Sequence, residues 1–254
     1  MFMASRTTAL QHSRSTTSTG RLQPRTYVDL VIDVIVGKAA MGRILPGDRI
    51  NEVDLARELG ISRAPIREAF RTLVVQGVVQ SIAYHGVRLA PMTAERVQQI
   101  NEVRFELEKL SLRKLSAAGD NTALLLAFEH IIEDMKAAAR KDDRLGLATL
   151  DADFHQAIVS ASENPVLLTF WQMLKPQLII MFGLGALTKP LRKIVDEHRR
   201  ILNAFATHKW KVIEETLSEH ILADNTGIDF ESIVKSGASK TDIPAKPKPA
   251  RQAR

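Results

Sequence analysis

Apolar residues recur at helical spacing from Tyr27 to about Gly42 (Tyr27, Leu30, Val31, Val34, Ile35 and Ala39), and Leu45-Pro46-Gly47-Asp48 then reads as a turn. A second, short helix is predicted from about Glu52 to Leu59, stopped by Gly60. Ser62 is a suitable N-cap for a third reaching about Gln76, with Gly77 placed to end it. Val78-Val79-Gln80-Ser81 and Gly86-Val87-Arg88-Leu89 are short β-prone runs joined through Tyr84-His85-Gly86. Three helices and a hairpin predict a winged helix, with Met41, Leu55, Leu59, Ile66, Leu73 and Val74 as its small core.

Beyond Pro91 the alternation of strands does not return, and helical periodicity takes over. Helices are expected near 93–118, 122–140, 143–162, 164–183, 189–207 and 209–230, punctuated by Asp120, Asn164-Pro165 and Lys189-Pro190. The expected fold class is mostly α, an N-terminal winged helix-turn-helix plus a C-terminal all-α helical bundle. The division is at 27–91 and 92–234, between tails at 1–26 and 235–254 that lack a periodic apolar face and read as disordered.

Composition refines this picture in three ways. A chain of 254 residues with 45% hydrophobic content can bury two modest cores. The absence of cysteine excludes disulfides and thiolate metal sites. No apolar run approaches the roughly 20 residues that cross a bilayer, so a cytoplasmic protein with no membrane partner is expected. The net charge of +6 is misleading, because residues 1–26 carry four arginines and no acid, and residues 235–254 carry six Lys or Arg against Asp242. The stretch between the tails is slightly acidic, so a nucleic-acid reading must rest on pattern rather than on bulk charge.

That pattern is a pair of short helices joined by Gly60-Ile61-Ser62, the second carrying Arg63, Arg67 and Arg71 along one face. In a helix-turn-helix the second helix enters the major groove, where arginine suits both guanine edges and phosphates. Ser62 and the amides at the helix start can add phosphate contacts. A solvated basic face is the alternative. The series Pro46-Gly47, Leu55-Ala56, Gly60-Ile61-Ser62-Arg63-Ala64-Pro65-Ile66-Arg67-Glu68-Ala69, Leu73 and Gly77 resembles the GntR family of bacterial regulators. The resemblance implies contacts to double-stranded operator DNA by Ser62, Arg63 and Arg67, with His85 and Gly86 at the wing tip near the minor groove. One family arginine is replaced here by Val53, so that contact does not carry over.

In the bundle, Leu147, Leu150, Phe154 and Ile158 form one stripe with Asp151 and His155 on its flank. His198 lies amid Ile194, Val195, Ile201 and Leu202, and His220 amid Ile213, Leu217 and Ile221. One carboxylate and three imidazoles therefore point inward from three helices, and buried groups of this kind must be paired or must bind something. An internal Asp–His pair with two unrelated core histidines is the alternative. His130 falls off its stripe, and His12 and His208 lie in a tail and near a helix end.

Leu150-Asp151 with Phe154-His155, then Ser162-Glu163-Asn164-Pro165, Glu197-His198-Arg199-Arg200-Ile201 and His220-Ile221, resembles the ligand-binding domain, called FCD, of the FadR subfamily of GntR regulators. The resemblance implies that Asp151, His155, His198 and His220 hold one divalent metal ion. Three nitrogens and one oxygen favour Zn²⁺ or Ni²⁺, with Mn²⁺ possible. It also implies a cavity-facing arginine at Arg104 that would clamp a small organic-acid effector, the alternative being an i,i+4 pair with Glu108. A regulator reading one groove with one helix normally pairs into a homodimer on a palindromic site. The competing function classes are a metal-dependent enzyme, with Asp153 or Glu197 as base, and a helical interaction module with a structural metal.

Overall fold

A computed structural model describes residues 26–119 and 121–223. The basic tails apart from Thr26, the punctuating Asp120 and the helical turns expected beyond 223 lie outside these residues. Thr26 opens α1 (Tyr27–Ala40) with a capping box: its Oγ1 accepts from the Asp29 amide at 3.1 Å, and its own amide donates to Asp29 Oδ2 at 3.0 Å. α1 buries Val31, Ile35, Val36, Ala39 and Ala40, whereas Tyr27 and Leu30 of the predicted stripe are exposed. The inward surface is broader than one stripe because α1 is covered on two sides, as described below.

A two-residue strand that sequence reading missed, β1 (Arg49–Ile50), follows the Leu45–Asp48 turn. Asn51 caps α2 (Glu52–Leu59) by accepting from the Val53 amide at 2.9 Å, and Gly60 ends it in the left-handed region at φ 66°. Then come α3 (Arg63–Val75), β2 (Val79–Ile82) and β3 (Gly86–Leu89). The sheet is antiparallel in the order β1-β3-β2, with Val79 opposite Leu89 and Ile82 opposite Gly86. Ile66, Ala69, Phe70 and Leu73 form the inward row of α3. Val74, expected in the core, is 40% exposed because it stands one residue, about 100°, off that row. Met41 and Leu59 are only half-buried.

Six helices follow: α4 (Ala94–Ala117), α5 (Thr122–Arg140), α6 (Arg144–Ala161), α7 (Pro165–Ala186), α8 (Leu191–Ala206) and α9 (Trp210–Ser218). α9 passes into a π-helical turn, Glu219–Ala223, which replaces the regular helix expected there. Phe128, Phe154 and Phe205 pack in tilted and edge-to-face contacts in the core of the bundle, with the Phe154 and Phe205 centroids 5.0 and 6.1 Å from that of Phe128. α7 ends three residues later than expected, and by length and composition it is apolar enough to cross a membrane. Lys175, Pro176 and Gln177 hide that run from a scan for unbroken apolar residues. Here α7 serves as a core helix, packed against α6, α4 and α1, with Trp171, Leu178 and Leu184 fully buried.

α1 thus lies between α3 on one side and α7 on the other, and the winged-helix core is continuous with apolar residues of α6 and α7. A polar latch seals this junction. Arg96 of α4 donates to the Gly77 carbonyl and to Gln177 Oε1, both at 2.8 Å, while Gln177 Nε2 donates to the Gln76 carbonyl at 2.7 Å. The carbonyls of Gln76 and Gly77, just past the end of α3, are therefore satisfied by the helical bundle.

Candidate functional site

The outward face of α3 is formed by Ser62, Arg63, Arg67 and Arg71, all exposed. Ser62 occupies the N-cap but its side chain makes no capping bond, which leaves the hydroxyl for an external acceptor. Arg63 and Arg67 both reach back to Glu52 of α2, the latter with Nε 3.0 Å from Oε2. These hydrogen bonds, that of Arg67 foremost, hold the Glu52 carboxyl below its usual range against the opposing effect of burial. Sequence reading missed Glu52, eleven and fifteen residues away from its partners. At the wing tip Tyr84 (φ 63°) and Gly86 (φ 81°) adopt left-handed backbone, His85 donates its amide to the Ile82 carbonyl at 3.0 Å, and the His85 side chain is exposed.

Beneath this domain the bundle brings Asp151 and His155 of α6, His198 of α8 and His220 of the π turn together, all buried. Metal-ligating nitrogens of the three histidines lie within 4.8 Å of one another. His155 Nε2 is 3.2 Å from His220 Nε2, and Asp151 Oδ1 is 3.2 Å from His198 Nε2 and 3.5 Å from His155 Nε2. His198 Nδ1 donates to the Ile194 carbonyl at 2.8 Å, which turns its Nε2 toward the cluster. His155 Nδ1 lies 2.6 Å from Glu108 Oε2, which leaves its Nε2 to the cluster. His130 and His208 are exposed and stand apart.

Arg104 of α4 is completely buried, and it both pairs with Glu108 and lines a cavity. Its Nε donates to Glu108 Oε1 at 2.8 Å, and it lines the same cavity as Asp151 and His220. Its guanidinium also sits 4.8 Å from the Phe182 ring centre. Burial pushes the Glu108 carboxyl up to about 7 despite the charge of Arg104. Burial, then the charges of Arg104 and His198, lowers His155 well below the usual imidazole value. Burial followed by His198, His155, Arg104 and Lys189 does the same to His220. For Asp151 burial acts upward, but the charge and hydrogen bond of His198, with His155 and Arg104, outweigh it and keep the carboxyl ionised. Neutral imidazoles at His155 and His220 beside an ionised carboxylate are protonation states a divalent ion requires, and His198 brings its Nε2 to the same carboxylate, so the donor set fits one.

Comparison with known proteins matches residues 31–89 to "Bacterial regulatory proteins, gntR family" and residues 99–223 to "FCD domain". The HTH-type transcriptional regulator YdhC of Bacillus subtilis is 30% identical over 184 residues, 72% of this chain and 80% of that protein. The chain belongs to the GntR family. The regulator is also 29% identical over 216 residues to a Paenarthrobacter nicotinovorans protein named "Probable D-xylose utilization operon transcriptional repressor", covering 82% of this chain and 95% of that one. Its fold matches that of Escherichia coli McbR/YncC with a TM-score of 0.65 at 21% identity, over 78% of this chain and 94% of the other. It is a DNA-binding transcription regulator with a winged helix-turn-helix and a helical FCD domain, of the FadR-like type, and not an enzyme.

Proposed function

We propose that this regulator is a repressor whose operator affinity is set by a small organic acid bound beside a divalent metal ion in the FCD domain. The observation that carries the reading is the Glu108 carboxylate, which hydrogen-bonds Arg104 through one oxygen and His155 through the other. The residue suited to gripping an anionic effector and a residue suited to holding metal thereby share one buried partner, so a change at either is felt by both. Asp151, His155, His198 and His220 would hold the ion, with Zn²⁺ or Ni²⁺ favoured and Mn²⁺ admissible for this donor set. Such an ion, when bound, supplies a positive centre on which a carboxylate can complete the coordination shell.

The remaining work falls to the chain itself. Arg104, fixed by Glu108 and Phe182, orients the acid. Phe182 and Gly185 put α7 in the wall of the cavity, and Gln177 puts the same helix against the end of α3. A ligand that favours one seating of α7 shifts the balance between two placements of the recognition helix, and only such differential affinity moves an equilibrium. Ser62, Arg63, Arg67 and Arg71 read a palindromic operator in the major groove, with His85 and Gly86 at the minor groove, as a homodimer acting in the cytoplasm. Operator affinity measured with and without chelator, across a panel of small organic acids, tests the reading. Metal-dependent release by at least one acid is expected. Responses that survive both chelation and His198→Ala would refute it.

A further inference from the structure

Two buried polar atoms in the effector cavity have no hydrogen-bond partner, and they are of opposite sense. Arg104 Nη1 is a donor on a side chain with no exposure. Glu197 Oε1 is an acceptor on a residue only 3% exposed. Both residues line the cavity that also contains Asp151, Phe182 and His220. The other Glu197 oxygen, Oε2, accepts from Lys189 Nζ at 2.6 Å, which pins the carboxylate. Lys189 is itself 15% exposed and lines the same cavity.

Leaving a buried donor or acceptor unmade is costly, and two such atoms on residues that line one space describe the ligand that would satisfy them. The donor on Arg104 asks for a carboxylate. The acceptor on Glu197 repels a second carboxylate and asks for a hydroxyl or another donor. We infer that Glu197, held by Lys189, is a hydroxyl-reading subsite, and that the effector is a short hydroxy acid rather than an unsubstituted or dicarboxylic one. This deepens the proposed function and rests on it. The free space is small, about 30 Å³, so the ligand is short.

The test is calorimetric titration of the metal-loaded protein with propionate, 2-hydroxypropionate and 3-hydroxypropionate, which differ by one oxygen. At least one hydroxy acid should bind ten times or more tighter than propionate, because a hydrogen bond to a buried charged acceptor is among the strong ones. That advantage should fall below about threefold in Glu197→Gln, whose amide has the same size but no charge. Metal content reports whether the variant is folded, and the wild-type series decides alone if it is not. Equal binding of the three acids to wild type overturns the inference while leaving an acid-responsive regulator in place. So does a hydroxyl preference undiminished in Glu197→Gln. If none of the three binds, the inference falls, and release of operator DNA by other acids then shows whether the broader reading survives.

Discussion

Two glycines at the junction of the DNA-binding and effector domains make opposite predictions from the same substitution. Gly183 lies within α7, and a Cβ there would stand 2.6 Å from both the Cβ and the carbonyl oxygen of Ala40 at the end of α1. Gly37 lies within α1, and its Cβ would meet only the flexible tip of Leu145 at 3.3 Å. Gly→Ala in a helix interior gains roughly 0.5–1 kcal/mol at either site from propensity. The difference between the two variants is therefore the packing term alone. Moving a methyl from 2.6 Å to an ordinary contact near 3.4 Å requires backbone displacement, which costs about 1–3 kcal/mol when the obstacle cannot rotate away. Gly37→Ala should then be neutral or more stable than wild type. Gly183→Ala should be less stable than Gly37→Ala by that packing term, about 2–4 °C in melting temperature per kcal/mol for a chain of this size. Urea and thermal unfolding followed by circular dichroism on the full chain measure both. If Gly183→Ala is as stable as Gly37→Ala, α1 does not pack closely on α7 in solution, and the junction between the two domains is looser than this close approach implies.

Arg63→Ala and Arg67→Ala should each weaken operator binding by roughly ten- to a hundredfold, read by fluorescence anisotropy, if they touch base edges; no change for either would remove α3 from the groove. Glu52→Gln should raise affinity for random-sequence DNA several-fold and shrink the ratio of specific to non-specific binding, because it frees two guanidinium groups and removes a charge that opposes phosphate. Deleting residues 1–26 should lower the salt slope of binding while keeping sequence preference. In metal-free protein, His155 and His220 refuse protons that the unfolded chain takes up, so they cost stability as pH falls below 6.5. Glu108, raised from 4.5 to about 7, returns stability over the fall from 7 to 4.5. Glu108→Gln should therefore about double the acid slope of unfolding free energy between pH 6.5 and 4.5, and an unchanged slope would mean that Glu108 keeps its ordinary affinity for protons.

The winged helix was legible because its signals are local. Gly60, Ser62 and Gly77 act on their own turns, and the spacing of Arg63, Arg67 and Arg71 already puts them on one helix face. Asp151 and His155 were likewise legible as neighbours, being four residues apart. The convergence of His198 and His220 on them was suggested by apolar company and by family resemblance, yet no periodicity measures a distance across helices. Sequence could not bring out Glu52, since an ion pair at separations of eleven and fifteen residues has no local period. It also offered Arg104 either Glu108 or the cavity, whereas the guanidinium has donors enough for both.

The sequence by itself determined which segments become helices, where they start and stop, and which face of each is apolar, because those properties depend on contacts within a turn or two. Only the tertiary structure decided that α1 is covered on both sides, that Val74 faces outward, that a short β1 joins the sheet, and that the last helix widens into a π turn at His220. It alone set Gln177 on the end of α3 and brought Glu197 and Arg104 into the wall of one cavity. Each of these depends on residues far apart in sequence competing for the same buried space, and that competition is settled only when the helices pack.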